Sequence, residues 1–281
     1  MSLRQRTAVR SLSRDELDIA VDLCALDPAA NVFVAARIAE QGWRRSTAVL
    51  GHYAGGALTS LCWTGANVVP VQSDPDARAA FAERLRRYGN RAASLLGPQE
   101  AVLDLWSRLS SAWGPARAIR GHQPLMATRT PPSVLGIPID PRVRPARMDE
   151  VDLVLPAAAH MFTHEIGYPP YTTNKRAYRQ IIEALVARNR TYVIVEGGEV
   201  IFKADIGSVA VGAAQVQGVW LAPHLRGHGL STPAMAAVTE LAMHDFAPLI
   251  TLYVNDFNLS ARALYERIGF TEVGAFATVL L

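Results

Sequence analysis

One stretch constrains this chain more than any other: Val219-Trp220-Leu221-Ala222-Pro223-His224-Leu225-Arg226-Gly227-His228-Gly229-Leu230-Ser231. It reads as an apolar strand, a short loop closed by two glycines, and the start of a helix through Met235, Val238, Ala242 and Phe246. A loop of this kind aims several free backbone N–H groups at one point, and the helix dipole adds partial positive charge there. Glycine takes positive φ and lets a ligand come close to the backbone. The turn therefore suits a phosphate or pyrophosphate. No Lys follows Gly229, so the pattern G-x-x-x-x-G-K-[ST] is absent, and G-x-G-x-x-G would need a third glycine near Pro233. G-x-S-x-G also fails at Pro233, which argues against a serine hydrolase. Pro233 is tolerated in a first helical turn, where its missing N–H costs nothing.

What does fit is R-x-x-G-x-[small], carried by Arg226, Gly229 and Ser231 after Leu221-Ala222-Pro223. It resembles the acyl-CoA pyrophosphate loop of the GNAT superfamily of N-acyltransferases. Ser231 departs from the Gly or Ala usual there; its hydroxyl is a candidate helix cap or phosphate contact. A second stretch strengthens the match. Leu249 to Val254 reads as a buried strand, Asn258 or Ser260 as the N-cap of a helix through Ile268, and Gly269 as its stop. The pattern N-x-x-A-x-x-L-Y-x-x-x-G-F, on Asn258, Ala261, Leu264, Tyr265, Gly269 and Phe270, is similar to the same family's C-terminal motif. The two motifs stand in the family's order, about thirty residues apart, and the resemblance covers Val143 to Leu281.

The first half contains a fainter echo. Val9-Arg10 followed by Asp15-Glu16-Leu17 has the spacing of Val143-Arg144 followed by Asp149-Glu150-Val151. Each half also carries strands joined by a Gly-Gly turn, Gly55-Gly56 between Thr47–Leu50 and Leu58–Trp63, and Gly197-Gly198 between Tyr192–Glu196 and Val200–Ala204. Arg14 to Ala39 has helical spacing broken near Asp27-Pro28. Val68–Val71 and Ala93–Leu96 read as strands, and Asp76–Tyr88 and Gln99–Ala112 as helices. Duplication explains these matches better than chance. The expected fold is α/β (α+β): tandem GNAT-like domains, each a mixed, largely antiparallel twisted sheet flanked by helices. Pro131-Pro132, Pro138 and Pro141 mark a stiff connector. The expected division is a degenerate accessory domain at 1–130, a Pro-rich linker at 131–142 and a catalytic acyl-CoA-binding domain at 143–281.

After Val71 the first copy has Gln72-Ser73-Asp74-Pro75-Asp76, with no glycine and two carboxylates that suit a helix N-terminus but repel a pyrophosphate. That copy is therefore expected not to bind acyl-CoA. It is left with supporting the fold, shaping the acceptor cleft, or making a subunit contact, as in a homodimer.

Bulk properties bound the partners. Half the residues are hydrophobic and 19% are charged, a globular composition. A net charge of +3 is too small to argue for nucleic acid, though it suits a polyanionic cosubstrate. Cys24 and Cys62 form no C-x-x-C pair and read as reduced thiols of a cytoplasmic protein. No apolar signal core opens the chain and no run reaches membrane-spanning length, so no membrane partner is expected.

The resemblance assigns roles residue by residue. Val219 and Leu221 would pair with the pantetheine arm and offer an N–H to the thioester carbonyl. Arg226, Gly227, His228, Gly229, Leu230 and Ser231 would hold the pyrophosphate, and Asn258 would bond the arm or hold the loop. Tyr265 matches the usual general acid, a phenol protonated at neutral pH, against the plainer reading of a core tyrosine. The base is less plain. Gln215 and Gln217 occupy positions where relatives carry a carboxylate, and an amide takes no proton. Glu165, acting through water, is the best candidate. His160 and His164 share a helix face, but Thr163 breaks H-x-x-E-H and no third ligand is evident, so no metal is expected; a solvated helix end is the expected reading. His224 and His228 are expected to be exposed, without a proton-transfer role. Phe162, Tyr168 and Tyr171 would line the acceptor cleft. The implied activity moves an acetyl group from acetyl-CoA to a primary amine, of a small molecule or a protein, by direct attack. The alternative is a non-catalytic CoA-binding sensor or interaction protein.

Overall fold

The computed structural model describes residues 8–41, 48–87, 91–170 and 175–281. Its elements repeat in order. The first series runs β1 (Ala8–Ser11), α1 (Leu17–Ala25), α2 (Pro28–Gln41), β2 (Val49–Ala54), β3 (Ala57–Thr64), β4 (Asn67–Val71), α3 (Pro75–Arg86), β5 (Ser94–Pro98), α4 (Gln99–Trp113) and β6 (Ala118–Thr128). The second runs β7 (Arg144–Pro145), α5 (Val151–Ile166), α6 (Lys175–Val186), β8 (Thr191–Glu196), β9 (Glu199–Ala210), β10 (Ala213–Leu221), α7 (Ser231–Asp245), β11 (Leu249–Tyr253), α8 (Leu259–Arg267) and β12 (Thr271–Leu280). Ten elements thus recur one for one, which supports the duplication read from far fewer positions. Thr47 and Tyr88, at the edges of two expected elements, lie outside the described residues.

The shared spacing near each start has a chemical reason. Arg10 Nη1 donates to Glu16 Oε2 at 2.8 Å and Nη2 to Oε1 at 2.7 Å. Arg144 does the same to Glu150, at 2.8 and 2.6 Å. Each glutamate also accepts from the backbone three residues before it, Ser13 N and Arg147 N, both at 2.8 Å. A bidentate arginine thus ties the first strand to the carboxylate that opens the first helix.

The chain forms two compact units. The first takes the described residues up to Met126 together with Tyr253–Leu259 and Glu272–Leu281; the second takes Ala127–Leu252 and Ser260–Thr271. This division differs from a linear boundary at the proline-rich segment, because β12 lies antiparallel to β5, with Phe276 opposite Pro98 and Leu280 opposite Ser94. The proline-rich segment 131–142 is itself hydrogen-bonded to α7. Pro132–Leu135 forms a 3-10 turn. Ser133 donates through Oγ and N to Glu240 of α7, and Asp140 N donates to Pro233 O at 3.1 Å.

In the first unit, antiparallel β1, β2, β3 and β4 are followed by parallel β5. Phe81 and Leu85 of α3 and Val102, Leu105 and Leu109 of α4 bury their side chains against Cys62, Val68, Leu95 and Val279. In the second unit the order is β11-β10-β9-β8-β7, antiparallel except for the β10–β11 pair. Every residue of β9 from Val200 to Ser208 is buried. A strand with one wet face alternates, so both faces of β9 are covered; α5, α6 and α7 all pack on it. Val154, Ala158, Ile182 and Val186 join Val193 and Val200 in this core. Among the described residues no helix is long and apolar enough to cross a membrane.

The arginine–glutamate clamp predicts acid behaviour. The Arg144 guanidinium holds the Glu150 carboxyl down at about 2, below the value of an unfolded glutamate. Its stabilisation is thus complete above the unfolded pKa of about 4.3 and is lost as pH falls through the folded value. Glu150→Gln is expected to lower stability by about 2 kcal/mol at pH 7. Denaturant melts of variant and wild type should converge between about pH 4 and pH 2.

Candidate active site

The site is built where two parallel strands part. β10 and β11 pair only from Ala213 to Gln215 and from Leu249 to Thr251. Beyond Gln215 the edge of β10 that would face β11 is unpaired by that strand. On its other edge β10 stays with β9, but with a bulge: Gln217 sits opposite Asp205 and Trp220 opposite Lys203, leaving Gly218 and Val219 against a single partner position. The extra residue twists the strand and re-aims its peptide groups.

At the end of β10, Pro223–Leu225 make one 3-10 turn and Arg226 returns to extended backbone. Gly227 and Gly229 then take φ of +81° and +78°, a region unfavourable to side chains, with open space where a Cβ would stand. Among the described residues, none of the N–H groups from Gly227 to Leu230 donates to a backbone carbonyl. Helix α7 begins at once, its N-cap Leu230 offering no side-chain acceptor. Ser231 is the first helical residue and does not cap the helix, contrary to one of its two expected uses. Arg226 Nε donates to Leu221 O at 3.2 Å and ties the loop to the strand. His224 and His228 are exposed. Among the described residues this loop thus combines amides without a backbone acceptor, a helix N-terminus and an arginine, with no carboxylate, a makeup that suits a polyanion.

Helix α5 supplies the other wall. Trp220 Nε1 donates to His160 Nδ1 at 3.0 Å. The imidazole thus has one nitrogen committed as an acceptor, while His160 and His164 both lie exposed, as expected of a solvated helix end. Met161 Cε lies 3.2 Å from where a Cβ on Gly218 would stand. Glu165, one turn on, is exposed, and its charge reaches Tyr265. Phe162 and Tyr168 stack edge-on at 5.8 Å; Tyr171 lies outside the described residues. Among the described residues no group of three His, Cys, Asp or Glu gathers.

Tyr265 of α8 is 7% exposed, packed against Phe270 with ring centroids 5.9 Å apart. Burial, reinforced by the charge of Glu165, pushes its phenol above the usual tyrosine range, so it stays protonated. Asn258 sits exposed just before α8. Gln215 is buried, and the Gln217 amide lies over Gly207. Sequence reasoning missed two residues here, Lys203 and Asp205, a buried ion pair of β9 beneath the bulge. Their signal is visible in retrospect: two charges, two apart, in the apolar run Val200–Ile206.

The corresponding turn of the first unit is filled differently. Asp74 Oδ1 accepts from Ala77 N at 2.7 Å and caps α3. Buried Arg78 donates to Ser73 O, Glu100 and Asp104 at 2.6–2.8 Å. A cavity of about 440 Å³ remains, lined by Asp27, Asn31, Gln72, Asp74, Arg78 and Glu100 among others.

Residues 158–270 match the model of the acetyltransferase (GNAT) family, and residues 47–154 that of a domain of unknown function, DUF4081. No curated protein matches the chain. Among solved structures, the fold resembles a GCN5-related N-acetyltransferase from Sphaerobacter thermophilus (14% identity, TM-score 0.60, covering 99% of this chain and 96% of that one). It also resembles a GNAT-family acetyltransferase from Colwellia psychrerythraea (12%, TM-score 0.57, 98% and 99%). A third is a tandem GNAT protein from the clavulanic acid biosynthesis pathway (15%, TM-score 0.53, 98% and 98%). At these identities the likeness is one of fold.

The loop geometry is testable on its own. Gly229→Ala places a side chain at φ +78°, at a cost of about 1–2 kcal/mol. A denaturant melt should show that loss, because no neighbouring atom lies near enough to offset it.

Proposed function

We propose, from the premise that residues 158–270 form a GNAT-family acetyltransferase domain, that this chain transfers an acetyl group from acetyl-CoA to a primary amine. The observation that carries the reading is the parting of β10 and β11, with a carboxylate-free glycine loop at the end of the one and a buried, protonated tyrosine on the helix after the other. The residues present fit the cosubstrate. Arg226, Gly227, His228, Gly229, Leu230 and Ser231 would hold its pyrophosphate, Val219 and Leu221 its extended arm, and Asn258 the arm or the loop. When bound, acetyl-CoA supplies an activated acyl group at its thioester.

The chain's own residues do the rest. Val219 N–H bonds the carbonyl oxygen as the amine lone pair attacks carbon and the carbonyl π pair moves onto oxygen. Glu165, through a water, takes the proton the amine sheds as the C–N bond forms. Tyr265 gives its proton to sulfur as the C–S bond breaks. Direct attack fits better than an acyl-cysteine. Burial pushes both thiols, Cys24 and Cys62, up to about 12, and neither belongs to the second unit. The first unit, with Asp74 and the Arg78 cluster at its equivalent turn, is assigned no acyl-CoA; support of the fold or a subunit contact is left to it. The division into an accessory domain at 1–130 and a catalytic domain at 143–281 stays part of this proposal.

A second reading has one observation behind it. The buried Gln215 and the packed Gln217 accept no proton, which suits a CoA-binding sensor without turnover. Calorimetry with CoA, followed by thiol release from acetyl-CoA across a panel of small and peptide amines, separates the two. Binding with turnover supports transfer, binding without turnover the sensor, and no binding removes both.

Two further outcomes follow for the enzyme. Tyr265→Phe should leave CoA affinity intact and lower kcat by about 100-fold. Because the phenol titrates above its usual range, the wild-type rate should show no alkaline limb from this group below about pH 10.

A further inference from the structure

Lys203 is fully buried and Asp205 is 3% exposed, and the two form an ion pair. Thr191 Oγ1 donates to Asp205 Oδ1 at 2.8 Å. Lys203 Nζ also donates to Gly218 O at 3.4 Å. Removing two ions from water is costly, and well-packed apolar residues in their place are often as stable or more so. Stability alone therefore does not account for the pair. Its place does: it lies against the bulge, where a Cβ on Gly218 would stand 2.9 Å from Asp205 Oδ2 and 3.2 Å from Lys203 Nζ, at φ +62°.

The oxygen of Gly218 and the N–H of Val219 belong to one peptide group. Among the described residues no peptide bond is cis, so the two point in opposite directions. A cation on the oxygen fixes the plane of that peptide and polarises its N–H into a better donor. Resting on the acyl-CoA reading above, we propose that Lys203, held by Asp205 and Thr191, is a positioning residue for acyl transfer. It orients and polarises the Val219 N–H toward the oxygen that becomes negative when the amine attacks. The amine lone pair makes the C–N bond and the carbonyl π pair moves to that oxygen. When the pair returns, the C–S bond breaks and sulfur takes the Tyr265 proton. Lys203 keeps its own protons throughout and acts only through the peptide bond.

Isotope-edited infrared spectroscopy of bound acetyl-CoA, carbon-13 labelled at the carbonyl, reads this donor directly. In the wild type the thioester carbonyl band should move to lower wavenumber than in free acetyl-CoA. The double variant Lys203→Met with Asp205→Asn, which leaves no uncompensated buried charge, should lose most of that displacement. Its kcat should fall about tenfold or more, with the affinity for CoA, which lacks the carbonyl, unchanged. Thr191→Val should show a smaller loss in the same direction, and decides the matter if the double variant does not fold. A full displacement retained in the deciding variant overturns the proposal, as does a wild type that binds acetyl-CoA without any displacement. A wild type that binds neither CoA nor acetyl-CoA brings down the acyl-CoA reading itself and this inference with it.

Discussion

Two parallel strands that pair for three residues and then diverge set the terms for the rest of the second unit. Past Gln215 and Thr251 neither strand serves the other, and the free edge of β10 is left with peptide groups to satisfy. An extended ligand with amides of its own answers that demand better than an apolar one. The bulge at Gly218 and Val219 belongs to the same logic, because a strand that leaves its parallel neighbour while keeping its antiparallel one must absorb extra twist. Arg226 then fastens the loop to Leu221 O, so the N-terminus of α7 follows the end of β10 wherever the strand goes.

The two repeats share this frame and use it differently. β4 and β5 also pair briefly, Asn67 and Val68 with Ser94 and Leu95, before the strands end. In the first repeat an aspartate caps the following helix and an arginine between two carboxylates occupies the turn. A carboxylate at a helix N-terminus gains from the dipole, but it claims the charge a pyrophosphate would use. The frame itself is kept by groups remote from the turn, such as the arginine–glutamate clamp at Arg10 and Arg144. Fold and ligand chemistry are thus held by different residues, which lets one copy change its chemistry without losing its shape.

Much of this was legible in the chain. The glycine loop, the stop at Gly269, the Gly-Gly hairpins and the arginine–glutamate spacing are local, so short patterns report them. The misses are non-local. β6 and β12 were not anticipated as strands, and β12 joins the first unit because its partner β5 lies far away in sequence. The hydrogen bonds from Ser133 and Asp140 to α7 are likewise invisible in the composition of the proline-rich segment. Lys203 and Asp205 were overlooked because a charge in a strand is ordinarily assigned to its wet face. β9 has no wet face, since helices cover both sides. Only the layering shows that these two charges are buried and must answer each other.

The geometry of Tyr265 bears on whether a buried phenol is a competent acid. Helix α8 closes with Phe270 N donating to Tyr265 O at 3.0 Å and Gly269 N to Glu266 O at 3.1 Å, the paired bonds of a Schellman turn. The residue that closes the helix also lays its ring against the phenol. The tyrosine is thereby gripped through backbone and side chain by one neighbour. Its burial raises the phenol's pKa, which by itself makes it a reluctant donor. Thiols respond to burial in the same direction, however: Cys24 and Cys62 of this chain are pushed to about 12 by nothing but desolvation. In the proposed reaction, a thiolate released where water is excluded would be correspondingly more basic. On the acyl-transfer reading donor and acceptor would rise together, which would keep proton transfer between them close to balanced while the phenol stays protonated at neutral pH.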